Sequence, residues 1–278
     1  QRVGPSTGMP TRTQQGDLLT CAYASHGDTK QILLFPSTPK ECFEFAADSF
    51  DIADRLQTPV IVLSDLELGM NEQICDHLDW DDQRRYDRGK VLNEEQLSEI
   101  ENYGRYQDVD GDGIPYRTYP GTHANKGSYF TRGSSHDVNA AYTENGDTYA
   151  EIMDRISLKF KTALDYIPKP EISSSSTHKR GLIYLGTTTS AIQETLDKLQ
   201  KKGISLDTMR LKAFPFHDCV REFINDHELV YVIEQNRDAQ LKSLLKIECN
   251  ANEEQMLSIL SYNGVLITAQ QIEHTILD

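Results

Sequence analysis

Arg2, Gly4, Ser6 and Thr7 lie close together in the run "RVGPSTGMPTRTQQGDL". Their types suit the capture of a small anion. A guanidinium can hold a carboxylate through two parallel hydrogen bonds. Gly4 and Gly8 let backbone N–H groups come close to a ligand, and the Thr7 hydroxyl adds a donor. An ordinary Gly/Pro turn is the competing reading of the same residues.

A second candidate is "DVDGDGIPYRTY". Asp108, Asp110 and Asp112 stand at positions 1, 3 and 5 of a calcium-loop pattern, with Gly113 at position 6. Position 12 is Tyr119, where an EF-hand needs a bidentate Glu. The stretch therefore reads either as a divalent-cation site or as an Asx turn that bonds to itself. Gly111-Asp112-Gly113 followed by Asn139 has the spacing of a diphosphate–Mg²⁺ motif. It lacks the buried strand before it and the helix after it, and is set aside. "LGTTTSA" reads as a Thr/Ser cluster capping a helix, without GxGxxG or Walker spacing. His26, His123, His136 and His217 form no HxxxH or HExxH pair, and no GxSxG or Cys–His signature occurs.

These loops need elements to hold them. "QILLFP" reads as a strand. Thr38 as N-cap, Pro39 at N1 and Glu41 at N3 then open a helix. Cys42, Phe45, Ala46, Phe50, Ala53 and Leu56 recur on it at helical spacing. "PVIVLSD" reads as a strand covered on both faces, completing a parallel βαβ unit. Leu66–Thr162 reads as a long ordered excursion with a short helix near Asn93–Tyr103. A longer helix near Asp147–Leu164 follows, with Ile152, Ile156, Phe160 and Leu164 on one face. After the linker "YIPKPEISSSSTHKRG", strands and helices alternate again: "GLIYLGT", "SAIQETLDKLQKKG", "MRLKAF", "HDCVREFIND", "ELVYVIEQN" and "RDAQLKSLLK". The fold class is α/β. The domain expectation is 1–166 with an acidic insertion at 65–135, a linker at 167–180, and a second α/β domain at 181–278.

Composition excludes several classes. The 278 residues carry a formal charge of −15, against nucleic acid or an anionic membrane as the main partner. Between Asp65 and Asp112 there are 15 acidic and 5 basic residues. That stretch reads as a solvated insertion or as a docking face for a basic partner. No apolar run reaches the roughly 20 residues of a membrane span. The five cysteines are scattered and form no CxxC, which disfavours a cluster or zinc site in this chain and suits a reducing cytoplasm.

"RVGPSTGMPTRTQQGDL", the βαβ unit with "PVIVLSD", "GRYQDVDGDGIPYRTYPGTHANKGSYFTRGSSHD" and "VIEQNRDAQLKSLL" together resemble the alpha subunit of 2-oxoacid:ferredoxin oxidoreductases, in the 2-oxoglutarate-type branch. The resemblance covers nearly the whole chain. It implies the C-terminal part of a thiamine-diphosphate pyrimidine-binding domain, followed by a domain like the C-terminal one of transketolases. It also implies a beta subunit that holds the diphosphate, Mg²⁺ and an iron–sulfur cluster. Together the subunits would convert a 2-oxoacid and CoA to an acyl-CoA, with electrons passing to ferredoxin. By resemblance Arg2 and Thr7, with Ser6 and Gly4 beside them, contact substrate. The family's YPITPS-like loop and activating glutamate precede this run, so the resemblance implies N-terminal truncation and an isolated chain that is incomplete as an enzyme. A non-catalytic scaffold that kept the fold, or a calcium-stabilised interaction module around the acidic insertion, remain the alternatives.

Overall fold

The computed structural model describes residues 1–175 and 179–278. Two sheets organise the chain. The first has the order β2-β1-β6, from β2 (Val60–Val62), β1 (Ile32–Leu34) and β6 (Ala213–Phe214). The second has the order β3-β5-β4-β7-β8, from β3 (Glu171–Ser173), β5 (Asp207–Leu211), β4 (Arg180–Leu185), β7 (Leu229–Glu234) and β8 (Met256–Leu260). β5, β4, β7 and β8 run parallel, and β3 adds an antiparallel edge.

The expected βαβ unit is present. β1 and β2 pair in parallel around α2 (Pro39–Leu56), whose N-terminal N–H of Glu41 is accepted by the Thr38 hydroxyl. Two details differ from the sequence reading. α2 buries Phe45, Ala47, Ile52 and Leu56, while Ala46 and Phe50 face solvent. Several apolar residues lie off the buried stripe, and tertiary packing selected one of two possible faces. β2 is half-buried at a sheet edge rather than covered on both faces.

β1 is the wall between two cores. Ile32 and Leu34 pack with Phe45, Leu56 and Phe160, whereas Leu33 faces Leu18, Ile183, Phe214 and Val232. This alternation follows from the two-residue period of a strand. β4 and β7 obey the same rule. Ile183 and Val232 join the Leu33 side, and Leu182 and Ile233 join Ile192, Ile272 and Ile276 on the other. The latter residues come from α6 (Thr189–Gln200) and α9 (Ala269–Leu277).

"MRLKAF" reads as one strand but serves two sheets. Residues through Leu211 belong to β5; Ala213 and Phe214 then pair antiparallel with Leu34 and Leu33. Phe35 N–H donates to the Lys212 carbonyl at 2.8 Å. Beside this crossing, Arg210 joins the two halves of the chain. Its Nε donates to Glu171 at 2.9 Å and its Nη1 to Glu41 at 2.8 Å. Burial alone would raise the Glu41 carboxyl, but the hydrogen bonds from Arg210 and Ser37 bring it down to about 2.

The acidic segment folds back onto α2. Arg84 donates to Asp48 and Asp51, both at 2.8 Å, and Arg117 to Asp54 at 3.1 Å. Much of the helix's outward carboxylate row is thus used within the chain. β8 and α9 had no counterpart in the sequence reading: Ser258 interrupts a short apolar run on an edge strand where Leu257 is exposed, and α9 follows a Gly-containing turn. Residues 167–180 include β3 and the segment 176–178, which lies outside the described residues.

Candidate functional site

The loop of residues 1–12 is closed on itself. Val3 N–H donates to the Arg12 carbonyl at 2.9 Å, and Arg12 N–H to the Met9 carbonyl at 3.1 Å. Gly8 has φ +49°, and a Cβ there would lie 2.0 Å from the Val3 carbonyl oxygen. Only glycine closes the loop this tightly. Gly4 N–H donates to the Gln14 side chain at 3.0 Å, so this amide already has a partner. A Cβ at Gly4 would meet nothing within 4 Å, which leaves open space on that side of the loop.

Arg2, Ser6 and Thr7 are all exposed. The four candidate residues are thus brought onto one ring of backbone, with the guanidinium and the hydroxyls turned to solvent. At the base of the loop, Thr11, Arg12 and Thr13 line a cleft of about 730 Å³ together with Glu67, Glu194 and Thr268. Arg12, not Arg2, is the cation in that cleft.

The loop is fixed by a buried polar network that the sequence reading missed. Gln15 N–H donates to the Gln235 carbonyl at 2.8 Å, and Gln235 N–H returns a bond to the Gln15 side chain at 3.2 Å. Gln235 Nε2 donates to Thr187 at 3.2 Å, and the Thr187 hydroxyl donates to Asp65. Asn236 Nδ2 donates to the Gln15 carbonyl at 3.1 Å and also to Glu234. Glu234 accepts the N–H groups of Leu241 and Lys242 at the start of α8 (Gln240–Cys249). Burial raises its carboxyl against the pull of those donors. The Thr cluster of "LGTTTSA" therefore serves this network. Thr188, the N-cap of α6, makes no side-chain capping bond. The legible signal was "IEQN", three polar residues in a row at the end of a buried strand.

The DVDGDG stretch is a turn docked on α5 (Gly146–Thr162). Asp108 accepts the N–H groups of Gly111 and Gly113, both at 2.9 Å. The Lys90 ammonium lies 2.7 Å from Asp110 and 2.8 Å from Asp112. A Cβ on Gly113, at φ +78°, would stand 2.4 Å from the Lys159 backbone nitrogen of α5. Thr162 donates to the Asp112 carbonyl at 2.7 Å. Among the described residues, no group of three or more His, Cys, Asp or Glu side chains is placed to hold a metal ion.

The chain resembles known proteins along most of its length. Residues 1–114 match the family described as pyruvate flavodoxin/ferredoxin oxidoreductase, thiamine diphosphate-binding. The alpha subunit of 2-oxoacid:ferredoxin oxidoreductase 2 from Aeropyrum pernix is 32% identical over 269 residues, covering 95% of this chain and 40% of that protein. The 2-oxoglutarate synthase subunit KorA of Archaeoglobus fulgidus is 28% identical over 277 residues, covering 98% of this chain and 67% of that protein. The solved 2-oxoglutarate:ferredoxin oxidoreductase from Magnetococcus marinus, with 2-oxoglutarate, coenzyme A and succinyl-CoA bound, superposes with a TM-score of 0.80. It is 24% identical, and the match covers all of this chain and 47% of that one. The shared architecture is α/β. The chain spans about two-fifths of the Aeropyrum relative's length.

Proposed function

We propose, on the premise that this chain belongs to the alpha-subunit family of the 2-oxoacid:ferredoxin oxidoreductases, that it supplies the substrate clamp of such an enzyme. The substrate is a 2-oxoacid, 2-oxoglutarate in the first instance. The complex would form an acyl-CoA and pass the electrons to ferredoxin. Arg2 holds the substrate carboxylate, while Thr7 and Ser6 offer hydroxyl donors to the neighbouring oxygens; the open side at Gly4 gives the substrate room.

The observation that carries this reading is the placement of Arg2 and Thr7 on one closed loop, exposed and tethered at its base by the Gln15–Gln235 network. A clamp must be held rigidly while its donors stay accessible. Among the described residues no carboxylate pairs with Arg2, so its guanidinium is available to a ligand carboxylate.

The first region, 1–166 with its insertion at 65–135, takes the pyrimidine-binding role. The region 181–278, joined through 167–180, takes the role of the second domain. Thiamine diphosphate is the cofactor of the reaction. A beta subunit is assigned its diphosphate, Mg²⁺ and the iron–sulfur cluster, and the assembly is assigned to the cytoplasm. No helix among the described residues is long and apolar enough to cross a membrane.

The test is an assay of the purified complex for CoA-dependent reduction of a viologen dye. 2-Oxoglutarate should be turned over with a higher kcat/KM than pyruvate. Absence of turnover with every 2-oxoacid would remove the reading.

A further inference from the structure

Away from the substrate loop, three cations converge on a pocket of about 350 Å³. Arg155 and Lys159 stand one turn apart on α5, and Arg105 reaches in from the excursion. Each is held by a neutral acceptor. Arg105 Nη2 donates to the Gln57 side chain at 2.6 Å, Arg155 Nη1 to the Gly113 carbonyl at 2.9 Å, and Lys159 Nζ to the Gln57 carbonyl at 3.4 Å. Arg105 also lies over the Tyr106 ring, which stacks on His136.

No ion pair among the described residues neutralises these three charges. Arg105 Nε and Nη1 and Arg155 Nε are buried without a partner. Asp108 exerts an opposing charge on Arg155 without an ion pair, and its two oxygens accept the N–H groups of Gly111 and Gly113. Like charges four residues apart on a helix repel, and burial makes the repulsion larger. Lys159 shows the result: burial and the charges of Arg155 and Arg105 lower its ammonium to about 8. A half-buried cluster of like charges with no ion pair is costly unless a counter-charge enters.

A second pocket of about 640 Å³ lies beside it, and the two share Thr29, Ile156 and Phe160 as lining residues. The second is lined by Met153, Leu164 and Phe216, and at its edges by the charged side chains of Asp28, Asp154, Glu248, Lys30 and Lys161. We propose that this pair of pockets binds an organic phosphate monoester, with the phosphate among Arg105, Arg155 and Lys159 and the organic group along Ile156, Phe160 and Phe216. Three cations match a dianionic head better than a single carboxylate. The side chains of Met153, Leu164 and Phe216 offer an apolar surface to the rest of the molecule.

The test is calorimetric titration of the intact protein that contains this chain, at fixed ionic strength set by chloride. Phenyl phosphate is the probe and inorganic phosphate the comparison. Phenyl phosphate should bind at one site per chain, more tightly than inorganic phosphate. Lys159→Gln should weaken it at least about tenfold, and Lys159→Arg should restore most of the affinity. Arg105→Gln, on a different element, should weaken it similarly, so a folding defect in one variant leaves the other informative. No binding of phenyl phosphate above the chloride background would overturn the proposal. So would equal binding to the wild-type protein and to both Gln variants. Equal affinity for inorganic and phenyl phosphate would overturn the assignment to an ester.

Discussion

Gln15 and Gln235 bind each other twice: the Gln15 N–H donates to the Gln235 carbonyl at 2.8 Å, and the Gln235 N–H donates to the Gln15 side-chain oxygen at 3.2 Å. This reciprocal pair joins the base of the loop of residues 1–12 to the end of β7. The loop's position is thus set by the second half of the chain. Gln235 also accepts the Ile267 N–H at 3.3 Å. Gln235→Leu therefore leaves a buried N–H unpaired, at a cost of about 1–3 kcal/mol. The melting temperature should fall by several degrees, and proteolysis within residues 1–12 should accelerate. An unchanged melting temperature would show that the network does not hold the loop.

The Arg210–Glu41 contact predicts a pH dependence. The Glu41 carboxyl is lowered from an ordinary value of 4.5 to about 2 in the folded chain. A depressed carboxyl contributes stability that is fully present above 4.5 and is lost as pH falls toward 2. Removing one partner of a buried pair is costly, so Glu41→Gln should destabilise by about 3 kcal/mol at pH 7. In urea titrations the gap between wild type and Glu41→Gln should narrow steadily from pH 5 to pH 2. A gap that stays constant over that range would contradict the assignment.

Lys159 predicts a slope of the same sign in an alkaline window, there as the relief of a cost rather than the gain of a contact. Its ammonium is lowered from 10.5 to about 8. Between those values the unfolded chain binds the proton that the folded chain has lost, so wild-type stability from this group rises with pH. Lys159→Met should be the more stable protein at pH 7, and its advantage should shrink as pH rises from 8 to 10.5. Denaturation midpoints of both proteins at pH 7 and pH 10 provide the check. A larger advantage at pH 10 would have the wrong sign.

Two glycines of the loop of residues 1–12 should differ in tolerance. A Cβ on Gly8 collides with the Val3 carbonyl, whereas one on Gly4 meets nothing within 4 Å. Gly8→Ala should disorder the clamp and lower kcat/KM by about 100-fold, the scale of a misplaced catalytic geometry. Gly4→Ala should leave the melting temperature intact and raise KM alone. Equal effects of the two substitutions on kcat/KM would argue against this loop as the site.

Much of this fold was legible from short-range rules. Thr38, Pro39 and Glu41 mark the start of α2 because capping is local. The apolar runs at 32–34, 182–185 and 230–233 mark strands that packing covers on both faces. What was illegible depends on contacts far apart in sequence. Phe50 repeats at helical spacing yet faces solvent, since the neighbouring strand, not the periodicity, selects the buried stripe. The split of "MRLKAF" between two sheets is set by Leu33 and Leu34, and nothing inside the six residues announces it. For the site, residue types on the loop suggested its chemistry. The supports Asp65, Thr187 and Gln235 came together only through the fold, from three separate elements.

The most direct test of the account is the steady-state kinetics of Arg2→Lys in the assembled enzyme, with Thr7→Val as the milder comparison. Lysine keeps the charge and loses the planar fork. A lost charge-assisted hydrogen bond is worth about 1.5–3 kcal/mol, so kcat/KM for the 2-oxoacid should fall about 10- to 100-fold, chiefly through KM. Thr7→Val removes one neutral donor and should cost less, and neither substitution should move the melting temperature, because both side chains are exposed. If KM for the 2-oxoacid is unchanged in Arg2→Lys, the loop is not the substrate clamp.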